Sequence, residues 1–189
     1  GTKSHIFSNT TIDTSSENFD FSNIEINYEN TSNDTYLKLF DQHITKSNLR
    51  PDNFDNLDSS LKLFLNHEDF NFESGFQSYE NLQIASKSDR YQYNLPYYNF
   101  NKSILQNYFE GNINFSSDGN NYLSNTNKLE TNITNNFTYN SLDYISKLGI
   151  KNNYSFSLNN LNSIGKNTSQ YKPSPQVELA GLFNIDFSM

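Results

Sequence analysis

From Tyr144 the even positions run Tyr144, Ser146, Leu148, Ile150, Asn152, Tyr154, Phe156 and Leu158. The odd positions run Ile145, Lys147, Gly149, Lys151, Asn153, Ser155 and Ser157. One parity is mostly apolar and the other mostly polar, the period of two expected of a strand with one greasy and one wet face. Upstream, Leu129, Thr131, Ile133, Phe137 and Tyr139 repeat the pattern as far as the turn-like Asn140-Ser141-Leu142-Asp143. The two stretches together predict a long antiparallel hairpin. Its strands exceed the ~5–6 residues usual in globular sheets and match the ~9–11 tilted residues that cross a bilayer.

The same pattern recurs along the chain. A weak first strand spans His5–Thr14. A second spans Phe19–Asn30, with Ile24, Ile26 and Tyr28 opposite Glu25 and Asn27. A long polar connection, Thr31–Asp55, carries Tyr36-Leu37-Lys38-Leu39-Phe40 and the breaker Pro51. Asn56–His67 aligns Leu61, Leu63 and Leu65, and a tight turn at Glu68-Asp69 leads to Phe70, Phe72 and Phe76, opposite Asn71, Glu73 and Gln77. The fifth strand, Asp89–Asn101, sets Tyr91, Tyr93, Leu95 and Tyr97 in phase. Pro96 within it lacks a ladder donor and predicts a bulge. Tyr108–Ser117 sets Phe109, Ile113 and Phe115 against Glu110, Asn112 and Asn114. A loop with Asp118-Gly119 follows, then the opening hairpin and the long polar stretch Asn160–Ser174. The last strand aligns Val177, Leu179, Gly181, Phe183, Ile185 and Phe187. Read this way, connections after odd strands are short and those after even strands long, the asymmetry of transmembrane barrels.

Composition narrows the functional classes. Among 189 residues only 34% are hydrophobic and mean hydropathy is −0.78, values that alone would permit disorder. An aromatic content of 15% argues against it. A net charge of −8 with no basic block disfavours nucleic acid as a partner and a polybasic anchor to a membrane surface. There is no cysteine, hence no disulfide framework and no thiolate chemistry. No apolar run reaches the ~18–20 residues of a transmembrane helix. Gly1 at the start and an alternating stretch at the end read as a piece of a longer protein.

No catalytic constellation emerges, and no enzyme, cofactor or metal is expected. His5, His43 and His67 are scattered, and His67-Glu68 lacks the second histidine of a zincin helix. Asp52, Asp55 and Asp58 miss the spacing of a calcium loop. There is neither a phosphate-binding glycine loop nor a nucleophile elbow. Acceptor triplets at Asn9, Asn132 and Asn136 are what so asparagine-rich a chain contains by chance. Tyr91, Tyr93, Tyr97 and Tyr98 read as an interfacial aromatic belt, with a sugar-stacking platform as the other reading.

Three stretches resemble the lipopolysaccharide-assembly outer-membrane protein family (LptD, formerly the organic solvent tolerance proteins). Ser32-Asn33-Asp34-Thr35-Tyr36-Leu37-Lys38-Leu39-Phe40 is similar to the segment after an early barrel strand, with Lys38 and Leu39 where the family has two arginines. Gln77–Leu82 followed by Arg90–Tyr98 resembles the pairing of one family strand with the next. Ser163–Asn167 with Ser174–Leu179 resembles a later loop and strand. The resemblance implies a large closed barrel in the outer membrane of a Gram-negative bacterium that inserts lipopolysaccharide into the outer leaflet. It also implies an LptE-like plug lipoprotein in the lumen and a periplasmic Lpt bridge reached through a domain outside this chain.

The expectation is therefore an all-β, antiparallel up-and-down meander of about nine long strands. Residues 1–189 would form one segment of a large transmembrane β-barrel, an open curved sheet when isolated. Leu61, Leu63, Leu65, Phe70, Phe72, Phe76, Phe109, Ile113, Phe115, Leu148, Ile150, Val177, Leu179 and Phe183 would face lipid. Glu73, Gln77, Glu110, Asn112, Asn114, Lys147 and Lys151 would face a hydrated lumen. The competing readings are a porin or receptor barrel, which shares every periodicity argument, and a soluble all-β adhesin or carbohydrate-binding module. The last needs its apolar faces to meet in a dry core.

Overall fold

The computed structural model describes residues 3–14, 16–44, 46–51, 53–106, 110–168 and 174–187. Its strands are β1 (His5–Asp13), β2 (Phe21–Thr31), β3 (Asn56–His67), β4 (Phe70–Asn81), β5 (Tyr91–Gln106), β6 (Gly111–Ser124), β7 (Lys128–Ser141), β8 (Tyr144–Ile145), β9 (Ile150–Lys166) and β10 (Ser174–Phe187). They form one antiparallel sheet in the spatial order β1-β2-β3-β4-β5-β6-β7-β9-β10, and the two-residue β8 pairs only with β9. This is the expected all-β up-and-down meander. Among the described residues the end strands β1 and β10 do not pair, so the sheet is not closed. No described helix is long and apolar enough to cross a membrane, which says nothing of crossing with strands.

Where periodicity is strong the strands follow it. β3 and β4 meet across Glu68-Asp69 with Leu61 opposite Phe76 and Leu65 opposite Phe72. Directly paired residues share a face of the sheet, so each such pair carries the apolar side from one strand to the next.

Three expectations are corrected. The proline bulge is present: three steps separate Asn94 from Tyr97 in β5, where two separate Gly75 from Gln77 in β4. The extra residue inverts the phase. Tyr91 and Tyr93 pair with Glu80 and Ser78, whereas Tyr97 falls on the other face, opposite Gly75. The expected common phase of Tyr93 and Tyr97 does not survive it.

Second, Asp118-Gly119 lies inside β6, where Tyr98 packs so close over Gly119 that a Cβ there would meet its ring. The turn falls instead at Asn125 and Thr126, both with positive φ, a conformation that asparagine tolerates best among residues with a Cβ. The alternation of loop lengths fails with it. One end of the sheet carries the connections β1–β2, β3–β4, β5–β6 and β7–β9, seven, two, four and eight residues long. The other carries β2–β3, β4–β5, β6–β7 and β9–β10, twenty-four, nine, three and seven residues long. Only the first two hairpins show the expected asymmetry.

Third, Tyr144–Leu158 is not one strand. A turn at residues 146–149 separates β8 from β9, closed by the Gly149 amide donating to the Ser146 carbonyl at 2.9 Å, with Gly149 at φ 79°.

The buried apolar side chains among the described residues are Leu37, Ile44, Leu57 and Leu82. They lie not under the sheet but where residues 32–55 fold over its end. There Tyr36 of α1 (Tyr36–Leu39), Phe40 between α1 and a 3-10 turn (Asp41–His43), Phe54 farther along the loop and Phe7 of β1 pack on them.

Candidate functional site

Following the register strand by strand separates two faces. Ile12, Ile24 and Leu63 form one row, and Ile26, Leu61 and Phe76 the next. Farther along, Phe72 pairs with Phe100, Lys102 with Phe115, and Phe115 with Phe137; Phe137 in turn pairs with Leu158. These rows make a single apolar face across the sheet. The expected lipid-facing residues Leu61, Leu63, Leu65, Phe70, Phe72, Phe76, Ile113, Phe115 and Ile150 all occupy it. Val177, Leu179 and Phe183 pair with Asn160, Leu158 and Tyr154 in β10. Phe109 lies outside the described residues. Leu148 is corrected: it sits in the turn of residues 146–149 and is 79% exposed.

Among the described residues nothing covers this face. Leu61 is 43% exposed, Phe76 47% and Tyr154 51%, although each sits mid-strand in a continuous sheet. Ile26, Leu61, Phe76 and Leu95 line one shallow apolar patch. Aromatic rings concentrate toward both ends of the face. At one end Phe100 lies 5.9 Å from Phe70 and 6.1 Å from Phe115, and Phe137 lies 6.4 Å from Phe156. At the other, Tyr91 stacks on Tyr93 at 6.2 Å. The rows of Ser59 and His67 mark these two levels on β3. Eight residue steps at ~3.3–3.4 Å put them about 27 Å apart along the strand, or about 19–22 Å of height at the ~35–45° tilt of barrel strands, somewhat less than the ~25 Å apolar band.

A polar stripe crosses the same face. The Tyr98 and Ser117 hydroxyls lie 3.1 Å apart, Ser117 Oγ donates to Asn135 at 2.8 Å, and Asn135 Nδ2 donates to Asn160 at 3.2 Å. Each member has a partner on the neighbouring strand, which limits the cost of holding such groups among apolar neighbours.

The opposite face is wet. Glu73, Gln77, Asn112, Asn114 and Lys151 of the expected lumen-facing set lie on it by register. Tyr97, brought there by the bulge, donates its hydroxyl to Glu73 at 3.0 Å. Two members are corrected. Glu110 is a turn residue at φ 46° between β5 and β6, its carbonyl accepting from the Leu142 amide. Lys147 sits beside Leu148 in the turn preceding β9. Both had been assigned by parity carried through a turn, where parity has no meaning.

Sequence reasoning missed the assembly at the end of the sheet. Arg90 closes α2 (Lys87–Arg90) and bridges Glu80 of β4 and Asp34 of the folded-over loop, at 2.6 Å each. The Tyr91 hydroxyl adds a bond to Glu80 at 3.0 Å. Arg90's hydrogen bond holds the Asp34 carboxyl below its ordinary pKa. Ion pairs Lys38–Asp55 and Arg50–Asp41 brace the loop itself. The one available signal was the apolar Tyr36–Phe40 run inside an otherwise polar connection. No protein-family model and no curated protein matches this chain.

Proposed function

We propose that the chain forms part of the wall of a transmembrane β-barrel in a bacterial outer membrane, non-enzymatic in role. The observation that carries this is a face apolar over most of its rows, interrupted by one polar stripe and covered by nothing among the described residues. Fully burying one Leu, Ile or Phe side chain contributes ~1.5–3 kcal/mol, so leaving such a face in water forgoes stabilisation many times over. A bilayer covers it without a second layer of protein. The wet face opposite supplies a hydrated lumen, and aromatic clusters toward both ends resemble interfacial girdles. Bilayer residence requires every backbone group to be satisfied, so edges β1 and β10 require further strands to close the wall.

The finer reading is the lipopolysaccharide-assembly translocon, with lipopolysaccharide as cargo, an LptE-like plug lipoprotein in the lumen and a periplasmic Lpt bridge as partners. Its support is the sequence resemblance. The two stretches Gln77–Leu82 and Arg90–Tyr98 are also neighbours across β4–β5, as the family pattern requires. The soluble adhesin is favoured by the polar stripe through Ser117 and Asn135, and it requires a second layer over the apolar face.

Single cysteines in an otherwise cysteine-free chain test the wall. In outer-membrane vesicles, cysteines at Leu61, Phe76 and Ile113 are expected to resist a membrane-impermeant maleimide, while those at Gln77, Asn112 and Asn114 react. Equal reactivity on both faces overturns the barrel. Depletion of the parent protein then tests the cargo. Loss of newly made lipopolysaccharide from the cell surface supports the translocon, and unchanged export with altered solute uptake supports a porin or receptor.

A further inference from the structure

The fold of residues 32–55 over the sheet end leaves a cleft of about 550 Å³ between that loop, the loop-side ends of β2, β3 and β4, and the start of β5. We infer that this cleft binds a neutral saccharide of one or two rings. Ligand pockets for small molecules run ~300–1,000 Å³, so the space suits such a molecule.

The lining chemistry narrows the class. Carboxamides come from several directions: Asn27 from β2, Asn56 from β3, Asn81 from β4, Gln92 from β5 and Asn53 from the loop. A carboxamide both donates and accepts. Asn27 donates to the Asp58 carbonyl, while Asn53, Asn81 and Gln92 each accept one bond on their oxygen. To a ring of hydroxyl groups the cleft therefore offers chiefly amide donors from the last three and an acceptor from Asn27. Tyr79, 37% exposed, supplies an aromatic surface in the same cleft. An aromatic ring with a polar tip suits a partner that is apolar on its ring face and polar at its rim.

Charge sets the sign. Glu29 and Asp58 both line the cleft. Its cation, Arg90, is engaged by Asp34 and Glu80. The balance is negative, so phosphorylated and uronic sugars are disfavoured while hydroxyl donors are welcome. Asp58, which pairs with Tyr79 across β3–β4, also keeps Oδ1 buried without a hydrogen-bond partner among the described residues. Such an acceptor is costly to leave unmet, and a shift of the wall on ligand entry would offer it a hydroxyl.

This inference does not rest on the membrane reading, because the cleft faces the wet side whatever covers the apolar face. The test is saturation-transfer NMR on the full chain in detergent micelles, with maltose as the neutral probe and digalacturonate as an anionic probe of equal ring number. Maltose is expected to receive transfer with an affinity on the order of millimolar, and digalacturonate at least about tenfold weaker. Tyr79→Ala is expected to weaken maltose about tenfold or more and Tyr79→Phe by less than about threefold. Tyr144→Ala, in β8 at the opposite end of the sheet, leaves binding unchanged. Circular dichroism establishes that each variant keeps its strands. No transfer to maltose, preference for digalacturonate, or wild-type binding by a folded Tyr79→Ala protein overturns the inference. Failure of the cysteine-labelling pattern leaves it standing.

Discussion

Gly75 shows how closely one position can be specified. A Cβ built there comes 2.6 Å from the Leu61 carbonyl oxygen and 2.9 Å from the Tyr97 ring. The carbonyl belongs to a ladder and cannot retreat. Gly75→Ala is therefore expected to cost about 1–3 kcal/mol, the usual range for overpacking, read as a lower urea midpoint in micelles with the m-value unchanged. Asp34 gives a pH-dependent counterpart. Its folded pKa is lowered by Arg90, so its contribution is complete above the unfolded value near 3.8 and declines as pH falls through the lower folded value. Amide exchange in residues 32–44 should accelerate as pH drops below about 4, relative to intrinsic rates. In Asp34→Asn the same amides should exchange faster already at neutral pH and lose that extra acid dependence. Unaltered exchange in the variant would mean the pair does not hold the loop.

For the individual elements, legibility followed the strength of alternation. β3, the Glu68-Asp69 turn and β4 were readable because Leu61-x-Leu63-x-Leu65 and Phe70-x-Phe72 leave one choice of face. Pro96 announced its bulge through the missing amide, yet the consequence for Tyr97 was not readable, since a proline does not say how many residues the bulge absorbs. Lys147, Leu148 and Glu110 were misplaced for a related reason: turns preserve chain order but not parity. The folded loop was least legible, because its packing depends on contacts with Phe7 and Leu82 that are distant in sequence. The bulge makes an element-level prediction. Cysteines at Tyr93 and Tyr97, of equal parity, should label oppositely in vesicles: 93 protected and 97 reactive. Matching behaviour would place the extra residue elsewhere.

Among the described residues the whole molecule has little interior, and its apolar face is one a soluble protein would hide. That makes the surrounding medium a structural component. Without detergent or lipid the isolated chain should associate, both through its apolar face and through the unpaired groups of β1 and β10. In micelles it should stay dispersed with its strand content intact. Analytical ultracentrifugation in the two media separates this from a stable soluble monomer. For the full-length parent, an unboiled form that migrates anomalously on denaturing gels and shifts on heating is expected of a closed barrel. Absence of the shift would favour the adhesin.

The added residue between Asn94 and Tyr97 also bears on how such a sheet drifts over evolutionary time. One inserted amino acid leaves both flanks of β5 hydrogen-bonded, so the ladder absorbs an indel where most secondary structure would reject it. A sequence that gained or lost a residue at such a site would carry a single-position gap inside a strand. An alignment that confined gaps to loops would lose its frame there while the architecture persisted.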